Sequence, residues 1–202
     1  MSINEQLLAA LTYYGLPVLF GVTFINSIGI PIPDAVLLIA AGAFVQMGDM
    51  NLVWVLVLGT IGAVLGDQVG YGVGRWGGRP LARRISRWLG GEKHLQDAEA
   101  IAKKWGGPGI FLSRCLFTSL NSWVNLISGL TFYPYRNFLF WDISGEVVWV
   151  FIYVILGELF SDRVQALIEL LGNFVWIEIG LLAALLFGWG LIKYIRNHKK
   201  NG

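Results

Sequence analysis

Residues 29–34 read Gly-Ile-Pro-Ile-Pro-Asp, inside an apolar stretch that runs from Leu16 to Val45. Pro31 and Pro33 each lack an amide hydrogen and clash with the preceding helical turn, so one continuous helix cannot pass through them. The break leaves arms of about 10–14 residues, too short to cross ~30 Å of hydrocarbon alone. A carboxylate, Asp34, follows at once. In a bilayer, freed backbone groups and a charge persist only where protein or trapped water satisfies them. The pattern predicts a re-entrant hairpin over residues 16–47 with a buried polar site at its tip, a construction that transporters use.

The bilayer is the right solvent to reason with. The 202 residues are 55% hydrophobic and 14% charged, with a mean hydropathy of +0.62, and soluble domains seldom combine these values. No basic leader with a cleavage site opens the chain, which argues against a secreted soluble protein. Three segments suit spanning helices: 51–74, 137–160 and 171–192. A fourth apolar run, 108–133, is interrupted by Arg114 and by Thr118-Ser119-Leu120-Asn121-Ser122, and reads as a second re-entrant hairpin. Between them, 80–106 carries Leu81, Ile85, Trp88 and Leu89 at helical spacing among arginines. That segment is either an interfacial amphipathic helix facing anionic headgroups or an ordinary basic loop. Residues 1–14 are compatible with another surface helix.

Charge sets the orientation. No Lys or Arg precedes Arg75, whereas 75–104 and the tail over 193–202 are rich in both. The positive-inside rule puts both basic segments, and so the C-terminus, in the cytoplasm. Hairpin plus span is then followed by hairpin plus span in the opposite sense: an inverted repeat. Gly15-Leu-Pro-Val-Leu-Phe20 echoes Gly107-Pro-Gly-Ile-Phe111, Ala41-Gly42-Ala43 echoes Ser128-Gly129-Leu130, and Gly66-Asp67 echoes Gly145-Glu146. The competing explanation is that small residues recur in any packed membrane helix. The expected fold is a single all-α membrane domain.

Few residues can carry chemistry. The lone Cys115 excludes a disulfide framework, and His94 and His198 lie in polar, basic segments, so no metal centre or cofactor is expected. No nucleophile–base pair and no nucleotide motif is present; an enzyme is not expected, nor a nucleic-acid partner. Gly62, Gly66, Gly70 and Gly74 form one small stripe suited to close helix packing. Without a preceding strand they are not a phosphate loop. Asp34 is a transport-site carboxylate or a helix cap. Arg114, always charged and fork-shaped, suits phosphate or carboxylate, and is expected to approach Asp34 where the hairpin tips meet. The alternatives are a structural ion pair or snorkelling to the interface. Asn121 and Asn125 can bond a headgroup or satisfy backbone. Asp67 and Glu146 are candidates for proton relay or ion pairing. Asp142, four residues before Glu146, reads as interfacial. The nine Trp and seven Tyr fit aromatic belts.

These residues resemble the DedA family of VTT-domain (SNARE-associated) membrane proteins. The matching stretches are Gly29-Ile-Pro-Ile-Pro-Asp34 with Ala41-Gly42, then Gly62 through Gly66-Asp67, Gly70-Tyr71 and Gly74-Arg75, and then Ser113-Arg114 through Ser128-Gly129 with Phe138 and Gly145 to Trp149. The resemblance covers residues 15–160. It implies the re-entrant fold and lipid translocation, with some bacterial members returning undecaprenyl phosphate across the membrane and depending on the proton-motive force. By motif position it implies functional roles for Asp34 and Arg114. Three departures stand out: Asn26 replaces a family Glu ahead of the break, Leu120 replaces a second Arg, and Phe117 replaces a proline. The resulting expectation is a bacterial inner-membrane flippase acting on membrane lipids, with undecaprenyl phosphate or a related phospholipid headgroup as substrate, protons as coupling ion and a homodimer open to it. A proton- or cation-coupled carrier of a small solute and a non-transporting scaffold remain alternatives.

Overall fold

In a computed structural model of the chain, the described residues are 3–30, 32–89, 106–115 and 121–163. Pro31, Thr118, Ser119, the expected span over 171–192, the basic tail and most of the amphipathic segment lie outside them. Among the described residues every regular element is helical: α1 Ile3–Tyr14, α2 Leu16–Ile28, α3 Asp34–Met47, α4 Leu52–Leu89, α5 over 106–115, α6 Asn121–Leu130, α7 Tyr135–Leu159 and a closing 3₁₀ turn, Ser161–Arg163.

Two of these helices are long and apolar enough to cross a membrane. Leu52–Gly78 has 27 residues and Tyr135–Leu159 has 25, each with hydropathy 1.8; at 1.5 Å per residue both exceed ~30 Å. Their outward faces are apolar. Val53, Val57, Ile61, Leu65, Val69 and Val73 recur every fourth residue on α4 and are all exposed, as are Phe140, Ile143, Val147 and Phe151 on α7. Asp67, Asp142 and Glu146 face inward. A helix in water turns its apolar stripe to the core; the reverse arrangement suits lipid outside and ionisable groups within. The architecture is that of an all-α membrane protein.

The first span runs past its expected end at Gly74. Helical geometry persists to Gly78, which adopts φ 52°, ψ −151° just ahead of Pro80. That conformation is open essentially to glycine alone, so the Gly78–Pro80 pair, not Gly74, kinks the helix before its basic continuation.

The break expected at the two prolines separates α2 from α3. Gly29 ends α2 at φ 120°. The backbone groups freed there find local partners: Gly29 N–H donates to Asn26 O (2.9 Å) and Ile32 N–H to Asn26 Oδ1 (3.2 Å).

Glycines set the packing. Gly62 of α4 receives α2, because a Cβ there would lie 2.7 Å from Phe20 O. Gly145 of α7 receives α5, where a Cβ would meet Arg114 Cγ at 2.6 Å. Gly74 of α4 and Gly129 of α6 abut each other, and Gly42 of α3 abuts α7 at Val154 and Glu158, beside Gly157. Thus α2 and α6 pack on α4, while α3 and α5 pack on α7. The main apolar core, with Leu19, Leu37, Leu38, Val55, Val150 and Val154, fills the crossing of α2, α3, α4 and α7.

Candidate functional site

A second crossing, of α4, α5, α6 and α7, is polar. The absence of a side chain on Gly145 opens the space through which Arg114 enters from α5, and Arg114 is only 1% exposed. Three carboxylates surround it. Arg114 Nη2 lies 2.7 Å from Asp142 Oδ1, Nη1 3.6 Å from Asp67 Oδ1 and Nε 3.5 Å from Glu146 Oε1. Asp142 and Glu146 are one helical turn apart on α7 and so share a face.

Neutral amides tie this group together. Asn125, fully buried, accepts from Arg114 Nη2 at 2.5 Å and donates to Asp67 Oδ1 at 2.6 Å. Gln68 donates to Asp142 Oδ2 at 2.7 Å, and Asn121 to Glu146 Oε1 at 3.3 Å. Burying several charges together is costly unless each is paired and hydrogen-bonded. The satisfaction here is partial: Arg114 Nε and Nη1, Asp67 Oδ2 and Trp149 Nε1 are buried without a hydrogen-bond partner among the described residues. Oxygens of Asp67, Asp142 and Glu146 lie within 4.8 Å of one another, a spacing that could hold a metal ion. The guanidinium already supplies the cation at that place.

The end of α2 and the start of α6 meet here. A Cβ on Gly29 would stand 3.1 Å from Ser122 Oγ. A small cavity here is lined by Asn26, Ser27, Asp34, Arg114, Asn121, Glu146 and Trp149. Asp34, at the first turn of α3, accepts from Asn26 Nδ2 at 2.8 Å and from Ala35 N–H at 2.9 Å. It does not make the side-chain cap of α3; Pro33 occupies the cap position.

Asp34, Arg114, Asn121 and Glu146 therefore share one cavity, with Asp67 and Asn125 directly behind it. The expected pairing of Asp34 with Arg114 is not what the side chains do. Arg114 is engaged by the acids of α4 and α7, and Asp34 by Asn26 across the break. Asp142, read from sequence as interfacial, is fully buried and makes the shortest ion pair to Arg114. Its spacing to Glu146 was the available signal. Gln68, Asn26 and Trp149 were also not singled out as site residues; only Asn26, a polar side chain ahead of the proline break, offered a hint.

Comparison with known proteins agrees with this architecture. The VTT domain matches residues 32–159, a range that contains every acid around Arg114. The uncharacterized membrane protein slr0232 of Synechocystis is 32% identical over 172 residues, covering 83% of this chain and 78% of its own. The uncharacterized membrane protein YbfM of Bacillus subtilis is 26% identical, covering 78% of this chain and 96% of its own. Protein DedA of Escherichia coli K12 is 27% identical, covering 84% and 75%. No solved structure matches. With the domain match extending from the proline break to the end of α7, the chain belongs to the DedA family of VTT-domain membrane proteins.

Proposed function

We propose that the protein is a lipid transporter that carries a phosphate-bearing headgroup, of the polyprenyl-phosphate type, across the bacterial cytoplasmic membrane without covalent chemistry. The observation that carries this reading is Arg114. It is a buried guanidinium lining a cavity beside the proline break, with two of its nitrogens lacking hydrogen bonds. A fork-shaped cation held by several weak contacts suits exchange, since a phosphate can take two of its N–H groups at once. One guanidinium among three carboxylates leaves the cluster negative when all are ionised, so an arriving anion must be accompanied by protons. That balance supports coupling to the proton gradient, with Asp34 and Glu146 as acceptors on the cavity wall. The exposed apolar faces of α4 and α7 would let the lipid tail stay in the bilayer.

The mechanical basis is an inverted repeat in which α2, α3 and α4 correspond to α5, α6 and α7, each first pair forming a re-entrant hairpin. The glycine contacts support it. Gly62 meets Phe20 and Thr23 as Gly145 meets Phe111 and Arg114, and Gly42 meets α7 as Gly129 meets α4. In this correspondence Gly145 pairs with Gly62, one turn before the Gly66 suggested by sequence echoes. Gly59, packed on Leu19, Leu38 and Val150, then corresponds to Asp142 in the polar crossing. The repeat thus has one apolar and one polar crossing, and the C-terminus is taken as cytoplasmic from the basic tail.

Proteoliposomes test the reading with labelled undecaprenyl phosphate and a plain phospholipid, with and without a proton gradient. Translocation of the prenyl phosphate, lost in Arg114→Ala, is the expected result. Solute uptake without lipid movement would point instead to a small-solute carrier, and neither activity in folded protein to a scaffold.

A further inference from the structure

Trp149 is large, 6% exposed, and lines the same cavity as Asp34 and Arg114, yet its indole Nε1–H has no partner among the described residues. Indole nitrogen is a donor only. A buried donor left unpaired forfeits the full desolvation of the group, and buried Trp N–H groups ordinarily find an acceptor. The ring itself is held: it packs on Tyr153 with centroids 5.0 Å apart and belongs to the main apolar core. The unpaired N–H is thus presented on a fixed platform, in a cavity that Arg114 also lines, with its Nε and Nη1 lacking hydrogen bonds.

We propose that Trp149 is a substrate-binding residue whose Nε1–H donates to an oxygen of a phosphate monoester in this cavity, alongside Arg114; the inference rests on the phosphate-carrier reading above. The argument is one of complementarity. The cavity-lining atoms without a hydrogen bond, Trp149 Nε1 and Arg114 Nε and Nη1, are all donors, so the molecule that completes them brings acceptor oxygens. The carboxylates that share the cavity, Asp34 and Glu146, repel an anion when ionised. A phosphate therefore enters with protons, and a neutral donor such as indole adds recognition without adding a further charge to balance. A neutral donor also distinguishes ligands differently from Arg114: it favours any well-placed acceptor, and its loss weakens binding without removing the cation.

The test is direct observation of the indole. The full chain is labelled with ¹⁵N-Trp in nanodiscs, and the Trp149 indole signal is assigned by its absence in Trp149→Phe, which keeps an aromatic ring and removes the donor. Three probes are added: a short-chain polyprenyl phosphate, the corresponding polyprenol and inorganic phosphate. The expected result is a downfield move of the Trp149 indole proton with the prenyl phosphate and none with the polyprenol. Affinity of Trp149→Phe for the prenyl phosphate should fall roughly tenfold or more, as for a hydrogen bond to an ion, in protein that still elutes as a folded species on size exclusion. A shift with inorganic phosphate as well assigns the contact to phosphate from either source; a shift with the prenyl phosphate alone ties it to the lipid. Wild-type binding of prenyl phosphate with an unmoved Trp149 signal and equal affinity in Trp149→Phe overturns the role of Trp149 and leaves the carrier reading standing. No binding of either phosphate to the wild type overturns both.

Discussion

Replacing Asn125 by Leu should unfasten the polar crossing without changing its charge. Asn125 is fully buried and bonds two ions at once, accepting from Arg114 and donating to Asp67 at 2.5 and 2.6 Å. Interhelical hydrogen bonds in bilayers average about 0.6 kcal/mol with maxima near 1.7, whereas bonds to charged groups contribute about 1.5–3. Short bonds to a sealed cation and a sealed carboxylate belong near the overlap, about 1.5 kcal/mol each. Leu is close in volume and makes neither, so the loss is about 3 kcal/mol. At roughly 2–4 °C per kcal/mol for a chain of this size, the melting temperature should fall by about 6–12 °C. The assay is thermal unfolding in detergent followed by fluorescence-detected size exclusion. Asn121→Leu is the internal comparison. It is half-buried and loses two longer bonds, 3.3 Å to Glu146 and 3.4 Å from Ser113 Oγ, so about 1.2 kcal/mol and roughly 2–5 °C. If Asn125→Leu melts no lower than Asn121→Leu, the amide is not what holds Arg114 and Asp67 together.

Arg114→Lys keeps the charge but cannot reach Asp67, Asp142, Glu146 and Asn125 from one ammonium; prenyl-phosphate translocation should drop at least tenfold, and wild-type rates in proteoliposomes would refute a role for the fork. Gly74→Val should fail to fold, since a Cβ there overlaps the α6 backbone at Leu126 and Leu130, whereas Gly21→Ala, with nothing within 4 Å, should be neutral or gain up to about 1 kcal/mol; equal yields of the two proteins on size exclusion would contradict the packing argument. The proposed carrier takes protons as co-substrate, because one guanidinium faces three carboxylates. The translocation rate should therefore fall as pH rises, less steeply in Asp34→Asn; a flat wild-type profile would separate transport from protonation.

What could be read from the sequence was mostly backbone chemistry. The proline break announces itself locally, because two missing amide hydrogens stop a helix whatever surrounds them, and α2 and α3 end and begin within a few residues of it. The glycine stripe on α4 was legible for a similar reason: four-residue spacing puts all four on one side, and Gly62 and Gly66 receive α2 while Gly70 and Gly74 receive α6. The partners of Arg114 were less legible. They come from α4 and α7, and a ranking by depth along each helix put Asp142 at the interface because it lies only two turns into α7. Depth says nothing of which side a residue faces. Asn26 shows the opposite error, having been weighed as a departure from a family pattern when its spacing to Asp34 already allowed it to bridge the break.

The crossing of helices between the two halves has a consequence for how the chain is made. α3 is buried along almost its whole length from Val36 to Ala43, and much of that burial is against α7, with Gly42 set on Val154 and Glu158. That partner leaves the ribosome more than a hundred residues later. At about 5–20 residues per second, α3 waits roughly 5–20 s beside α2 with its small-residue face uncovered. During synthesis that face is open to lipid, to the insertion machinery or to another nascent copy. Biogenesis of this protein is therefore a matter of delayed closure, completed only when α7 arrives to clasp the half made first.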